Sequence, residues 1–219
     1  EEDRKKVVKM DRMFIDLGMS GEDARAAVRV GDPVTYGVGL ETFGDGMAVS
    51  RAFDDKMGAF ICAEALRLVK EAGGAAGDVV AAATVQEEIG LRGGITSAYS
   101  QDPVVGIAVE VTHATDYLDV DKRKFGEVVC GKGPVLSRGA NINPKVLELL
   151  IEAAETEGIP YQIEGAPRGT GTDANAIQLT RGGKAAALVS VALRYMHTPT
   201  EVLCLEDVEN TARLLAAFV

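Results

Sequence analysis

Three continuous apolar runs of strand length constrain this chain most: Val79–Val85 (VVAAATV), Val104–Val111 (VVGIAVEV) and Ala185–Leu193 (AAALVSVAL). Runs without polar alternation are what a strand covered on both faces requires. Between them lie stretches of helical periodicity. In DKMGAFICAEALRLVKEAGG, Phe60, Ile61, Ala65, Leu68 and Val69 form one stripe, and Gly73–Gly74 supply a C-cap. Pro144–Glu157 reads as a helix capped by Asn143, with Val146, Leu149, Leu150 and Ala153 inward. Asp207 opens a terminal helix containing Leu214 and Leu215. Strands alternating with helices predict an α/β domain over residues 51–219, with a mixed, mainly parallel sheet sandwiched by helices. Residues 1–50 read differently. A short helix capped by Ser20 precedes VGDPVTYGVGLETF, whose alternation and glycines predict the remnant of a small β-rich domain and a linker.

Composition narrows the partners. A net charge of -10 offers no basic face for nucleic acid or an anionic membrane, and favours cations. No run reaches the roughly 18 apolar residues of a membrane span. Cys62, Cys130 and Cys204 are odd in number and lack CxxC spacing, so neither a disulfide framework nor a thiolate zinc site is expected, and a cytoplasmic, reducing setting is the default.

In open α/β sheets ligands gather beyond the carboxyl ends of strands, and four polar features fall there. Asp54 and Asp55 open a helix; Glu87 and Glu88 end the first run; Glu110 nearly ends the second; His197 follows the third. Each has a structural reading. Acidic residues offset a helix dipole, a strand end is often solvated, and a lone histidine beside a strand is usually a satisfied structural residue. A carboxylate inside VVGIAVEV, however, is costly unless paired. Several carboxylates and an imidazole converging on one rim would repel one another unless a cation intervened, and mixed oxygen and nitrogen donors suit Zn, Co or Mn.

The segments FDDKMGA (53–59), TVQEEIGLRGG (84–94), AVEVTHATD (108–116), GKGPVLSRGANINP (131–144), GTGTDANAI (169–177) and RYMHTPTEV (194–202) together resemble the successive motifs of the tetrahedral (TET) aminopeptidases. That family includes glutamyl aminopeptidases and proteins labelled cellulase M or endoglucanase. IDLGMSGEDARAAVRVGDPV (15–34) is similar to the last part of the family's inserted dimerisation domain. The resemblance implies a zinc-exopeptidase-like fold and two divalent metal ions per subunit. It makes Asp54 the bridging carboxylate, supported by Asp55. Glu87 becomes the general base, Glu88 and His197 ligands of one ion, and Glu110 the carboxylate of the other, where the family more often has Asp. Gly171, Thr172 and Asp173 fall in a loop near the site. The implied reaction is removal of N-terminal residues from short peptides. The implied assembly is a homo-oligomer of dimers forming a dodecamer.

The family's remaining ligand is a histidine of an AHxDE-type motif upstream of the inserted domain. This sequence has only His113 and His197, and His113, within THATD, reads as structural or as orienting a ligand. Starting on Glu1, the chain is expected to lack that upstream stretch. Asp54, Glu88 and His197 would then complete one ion site, the half using Glu110 would lack its imidazole, and activity would be reduced. Two further readings compete: a glycoside hydrolase using its glutamates, and a non-catalytic peptide-binding or assembly fragment.

Overall fold

The computed structural model describes residues 6–219; residues 1–5 of the charged N-terminal stretch lie outside the described residues. The chain divides into two compact units, Glu1–Gly37 and Val38–Val219. In the first, a 3-10 turn spans Met10–Arg12 and helix α1 spans Gly21–Ala27. Ser20 caps α1 as expected, its hydroxyl accepting from the Asp23 amide. None of the described residues of this unit is buried or in a strand. The β structure foreseen within residues 1–50 is β1 (Glu41–Phe43) and β2 (Met47–Ser50), and both belong to the second unit. They do so because β2 pairs antiparallel with β7 (Glu201–Cys204), far along the chain.

The second unit is built on a four-stranded sheet of β3 (Val105–His113), β4 (Val135–Gly139), β5 (Gln162–Ala166) and β6 (Ala185–Leu193), in the order β3-β6-β4-β5. The pairs β3/β6 and β4/β5 are parallel and β4/β6 antiparallel, the mixed, mainly parallel sheet expected. Strand β6 is central, and Ala186 through Leu193 are all buried. Helices α2 (Phe53–Glu71), α5 (Pro144–Glu157) and α7 (Leu205–Phe218) pack together against the sheet. The shorter α3 (Arg92–Gln101) and α6 (Asp173–Leu179) form a separate layer against β3 and β6. A single helical turn, α4 (Lys122–Phe125), links β3 to β4. Among the described residues no helix is long and apolar enough to cross a membrane.

Local sequence explains most of these elements. On α2 the buried face is Met57, Ile61, Ala65 and Val69, four residues apart. Phe60, placed on that face by its pattern, is instead 58% exposed, because a one-residue offset from Ile61 turns a side chain by about 100°. The same offset exposes Leu149 on α5, while Val146, Leu147, Leu150 and Ala154 go inward and Ala153 is partly buried. Asn143 caps α5 through the amides of Lys145 and Val146. Gly73 and Gly74, both at positive φ, close α2, with the Gly74 amide donating to the Val69 carbonyl. Helix α7 begins two residues before Asp207, with Leu214 and Leu215 buried.

One expectation fails outright. Val79–Val85 is not a paired strand, and Val80 and Val85 are 58% and 68% exposed. The run has the composition of a buried strand but, among the described residues, no strand beside it. A strand is completed by its neighbours and not by its own residues.

Candidate metal centre

Three chain segments bring the donors together. Strand β2 ends at Ser50, and the chain turns through Ala52, at φ 53°, into Asp54 and Asp55, whose backbone angles are non-helical at the head of α2. Asp54 is thereby turned away from the capping geometry that a helix-start reading assigns it, whereas Asp55 keeps that geometry through the Gly58 amide. Glu87 and Glu88 sit in the turn entering α3. There the carbonyls of Val85, Gln86 and Glu87 accept from the amides of Gly93, Arg92 and Leu91. His197 lies in the loop from β6 to β7, at φ 62°.

The His197 Nε2 stands 3.0 Å from Asp54 Oδ2 and 3.5 Å from Glu88 Oε1. One ligand atom from each of Asp54, Glu88 and His197 falls within 4.8 Å of the others. Two carboxylates and an imidazole converging in this way fit a single borderline dication that keeps open positions for water or substrate. Burial first, and then the charge of Glu88, push Asp54 up to about 6, with His197 opposing them. Glu87 is also raised, by burial and then by Glu88, Asp173 and Asp54.

Beside this trio lies a second, more deeply buried acidic group. Asp55 Oδ1 accepts from the Gly58 amide at 2.7 Å, and a Cβ on Gly58 would collide with Asp55 and with the Val109 carbonyl. The helix therefore needs glycine here to approach β3 closely enough to turn Asp55 inward. Asp55 and Glu110 face one another. Burial raises Asp55 to about 7 despite the Gly58 hydrogen bond, and burial together with Asp55 and Glu87 raises Glu110 to about 9. Each carboxyl therefore binds a proton more readily than an exposed one. The Asp173 amide, at the head of α6, lies 3.5 Å from Glu110 Oε1. Asp173 Oδ2 accepts from Thr84 Oγ1 at 2.7 Å, while its Oδ1 is buried without a partner.

Of the residues singled out by sequence, Asp54, Glu88 and His197 thus meet. Glu87 lines the same cleft. Asp55, Glu110 and Asp173 form the adjoining group. Gly171, at φ 77°, and Thr172 lie in the loop walling a cavity of about 370 Å3 that also reaches Asp54, Glu88 and His197. Thr172 caps α6 through the Ala174 amide. His113, at the end of β3, lines that cavity without joining the donor trio. Sequence reasoning missed Glu201. This fully buried carboxylate opens β7 and accepts from the amides of both Asp54 and His197. The only signal was an acidic residue directly before the apolar VLC.

An α/β sheet with an acidic cleft beyond its strand ends is an arrangement that comparison with known proteins assigns to a family. The M42 glutamyl aminopeptidase profile matches residues 1–214, and the chain belongs to that family. It is 37% identical over 213 residues to the lysyl aminopeptidase of Pyrococcus furiosus, covering 95% of this chain and 59% of that protein. The crystal structure of a TET aminopeptidase from a marine sediment Thaumarchaeota archaeon superposes with a TM-score of 0.87 at 34% identity, covering 99% of this chain and 62% of that one. The TET1 peptidase of Pyrococcus horikoshii, described as assembling into a tetrahedron or a large octahedral shell, superposes with a TM-score of 0.78 at 28% identity, covering 92% and 59%. The chain therefore spans about three fifths of the length of these relatives.

Proposed function

We propose that this chain carries the hydrolytic face of a metal-dependent aminopeptidase that trims N-terminal residues from short peptides. The observation that carries this reading is the Asp54–Glu88–His197 trio with Glu87 beside it. Held by those three residues, a Zn, Co or Mn ion would supply Lewis-acid polarisation of the scissile carbonyl and acidify water. Glu87 accepts the proton of the attacking water and returns it to the leaving amine, a role for which its raised proton affinity suits it. The surrounding carboxylates attract a free α-amino group, which favours cleavage at a peptide's N-terminus. Glu110 offers oxygen but, among the described residues, no imidazole joins it, so the second ion of the family pair is held more weakly than the first. Self-association into a homo-oligomer is supported by the assemblies of the Pyrococcus horikoshii relative and by exposed Val7, Met10, Phe14 and Val30 in the first unit.

The glycosidase reading has little geometric support. Its two carboxyls must flank one bond about 5–9.5 Å apart, whereas Glu88 is turned toward His197. Hydrolysis of an aminoacyl-anilide, with and without chelator, tests the proposal together with dication binding. Glu87→Gln should lower kcat by about 10²–10⁴ and leave dication binding within a few fold. Activity indifferent to both chelator and Glu87→Gln, or chelator-resistant cleavage of a cellulose analogue, would overturn it.

A further inference from the structure

We infer that Glu201 is the positioning residue that sets the spacing of the Asp54 and His197 donors, by clamping the two backbones that carry them. This inference rests on the reading of Asp54, Glu88 and His197 as a metal centre. Glu201 Oε2 accepts from the Asp54 amide at 3.2 Å and Oε1 from the His197 amide at 2.9 Å. One carboxylate thus spans residues 147 and 4 positions away along the chain. Beyond the clamp, the side chains of those same two residues come to 3.0 Å. The side chain is only 2% exposed in total and is fully committed to amides, so it is not itself a donor to the cleft. Its place is fixed by the ladder, because Glu201 is in register with Ser50 where β2 ends.

The segments it ties need tying. Ala52, Tyr195 and His197 all occupy the left-handed region that side-chain-bearing residues avoid. In the loop after β6, Arg194 and Val202 exchange backbone hydrogen bonds at its base, Thr198 Oγ1 donates to the Tyr195 carbonyl and the Thr200 amide donates to Thr198 Oγ1, and none of these touches His197. The hydrogen bond from the His197 amide to Glu201 is the one that holds the backbone at His197 itself. An ionised carboxylate makes stronger bonds to amides than a neutral acceptor. It also adds negative charge behind the trio, and groups that orient metal ligands are worth about 10–100-fold in metal affinity.

The test uses the whole chain, with Glu201→Gln and Glu201→Ala. Gln keeps the volume but turns an NH2 toward one of the two amides, whereas Ala releases both. In metal-free protein, amide exchange at Asp54 and His197 should accelerate at one site in Glu201→Gln and at both in Glu201→Ala, with distant sheet amides unchanged. Cobalt(II) titration should show affinity lowered about 10–100-fold for the folded variants, with circular dichroism retained. Unaltered exchange at both amides, or a lowered melting temperature with wild-type cobalt affinity, overturns the inference. Failure of the wild type to take up cobalt would refute the metal reading instead, leaving exchange to decide the clamp. If Glu201→Ala does not fold, Glu201→Gln carries the test.

Discussion

Two apolar runs lead into the site, and they end in opposite circumstances. Ala185–Leu193 becomes β6, with strands on both sides and helices on both faces. Val79–Val85 has no regular structure and is largely exposed, and among the described residues none of its amides donates a hydrogen bond. Yet β6 delivers His197 and the unpaired run delivers Glu87 and Glu88. One side of the centre therefore follows a buried strand paired on both edges, and the other follows a run tied by Thr84 to Asp173 and by the first turn of α3. Burial of backbone hydrogen bonds, and not apolar content, separates the two.

The sharpest way to break this contrast is to place the same charge in each run. Val189, fully buried opposite Val109 and Leu136, should not tolerate Asp. Val189→Asp should cost about 4 kcal/mol or more, because a carboxylate there has no partner and no water. Val85→Asp should stay within about 0.5 kcal/mol, as surface changes do. Denaturant unfolding of both variants measures the difference. Equal losses would mean that the run from Val79 is packed in solution as the run of β6 is.

A second variant sharpens the contrast at the junction with α3. A Cβ on Gly93 would collide with the backbone of Val85. In a tightly paired strand such overpacking typically costs about 1–3 kcal/mol. Here the run can yield, so Gly93→Ala should lose about 1 kcal/mol of stability while displacing Glu87 and Glu88. Dication affinity should fall by more than the change in unfolding midpoint accounts for. An unfolding loss at the top of the range with unaltered dication affinity would show that the run does not yield.

What could be read from the sequence follows the same division. Helices α2, α5 and α7 were legible because their apolar spacings, and the caps of α2 and α5, are local, and the errors there, Phe60 and Leu149, are single-residue offsets of a correct helix. Strands β3 and β6 were legible as apolar runs. The state of Val79–Val85 was not, because pairing is decided by what lies alongside. Within the site, the strand-end rule brought out Asp54, Asp55, Glu87, Glu88, Glu110 and His197 without separating them, and the structure groups Asp54, Glu88 and His197. The raised proton affinity of Asp55 and Glu110 depends on burial that Gly58 permits, and no spacing announces it. Glu201 was illegible for a related reason, since its partners are backbone amides, which every residue has.

The smallest effect concerns how the two strands that do pair are tied at their outgoing ends. Asp116, three residues past β3, accepts from Arg194 Nε at 2.8 Å and from its Nη2 at 2.6 Å, directly after β6, and from the Cys130 amide at 3.0 Å. Burial pushes the Asp116 carboxyl up, but the Arg194 and Cys130 hydrogen bonds outweigh it and hold the group below the usual 3.8. A carboxyl depressed in the folded state binds its proton more readily when unfolded. Its contribution is therefore complete above about pH 4 and is lost as pH falls through the folded value. Asp116→Asn should cost about 1 kcal/mol at pH 7, and wild type and variant should converge as the medium is acidified below pH 4. Unfolding midpoints at pH 7 and pH 3 measure this. A gap that widened toward acid would mean that burial outweighs Arg194, and that the ends of β3 and β6 are held by the ladder alone.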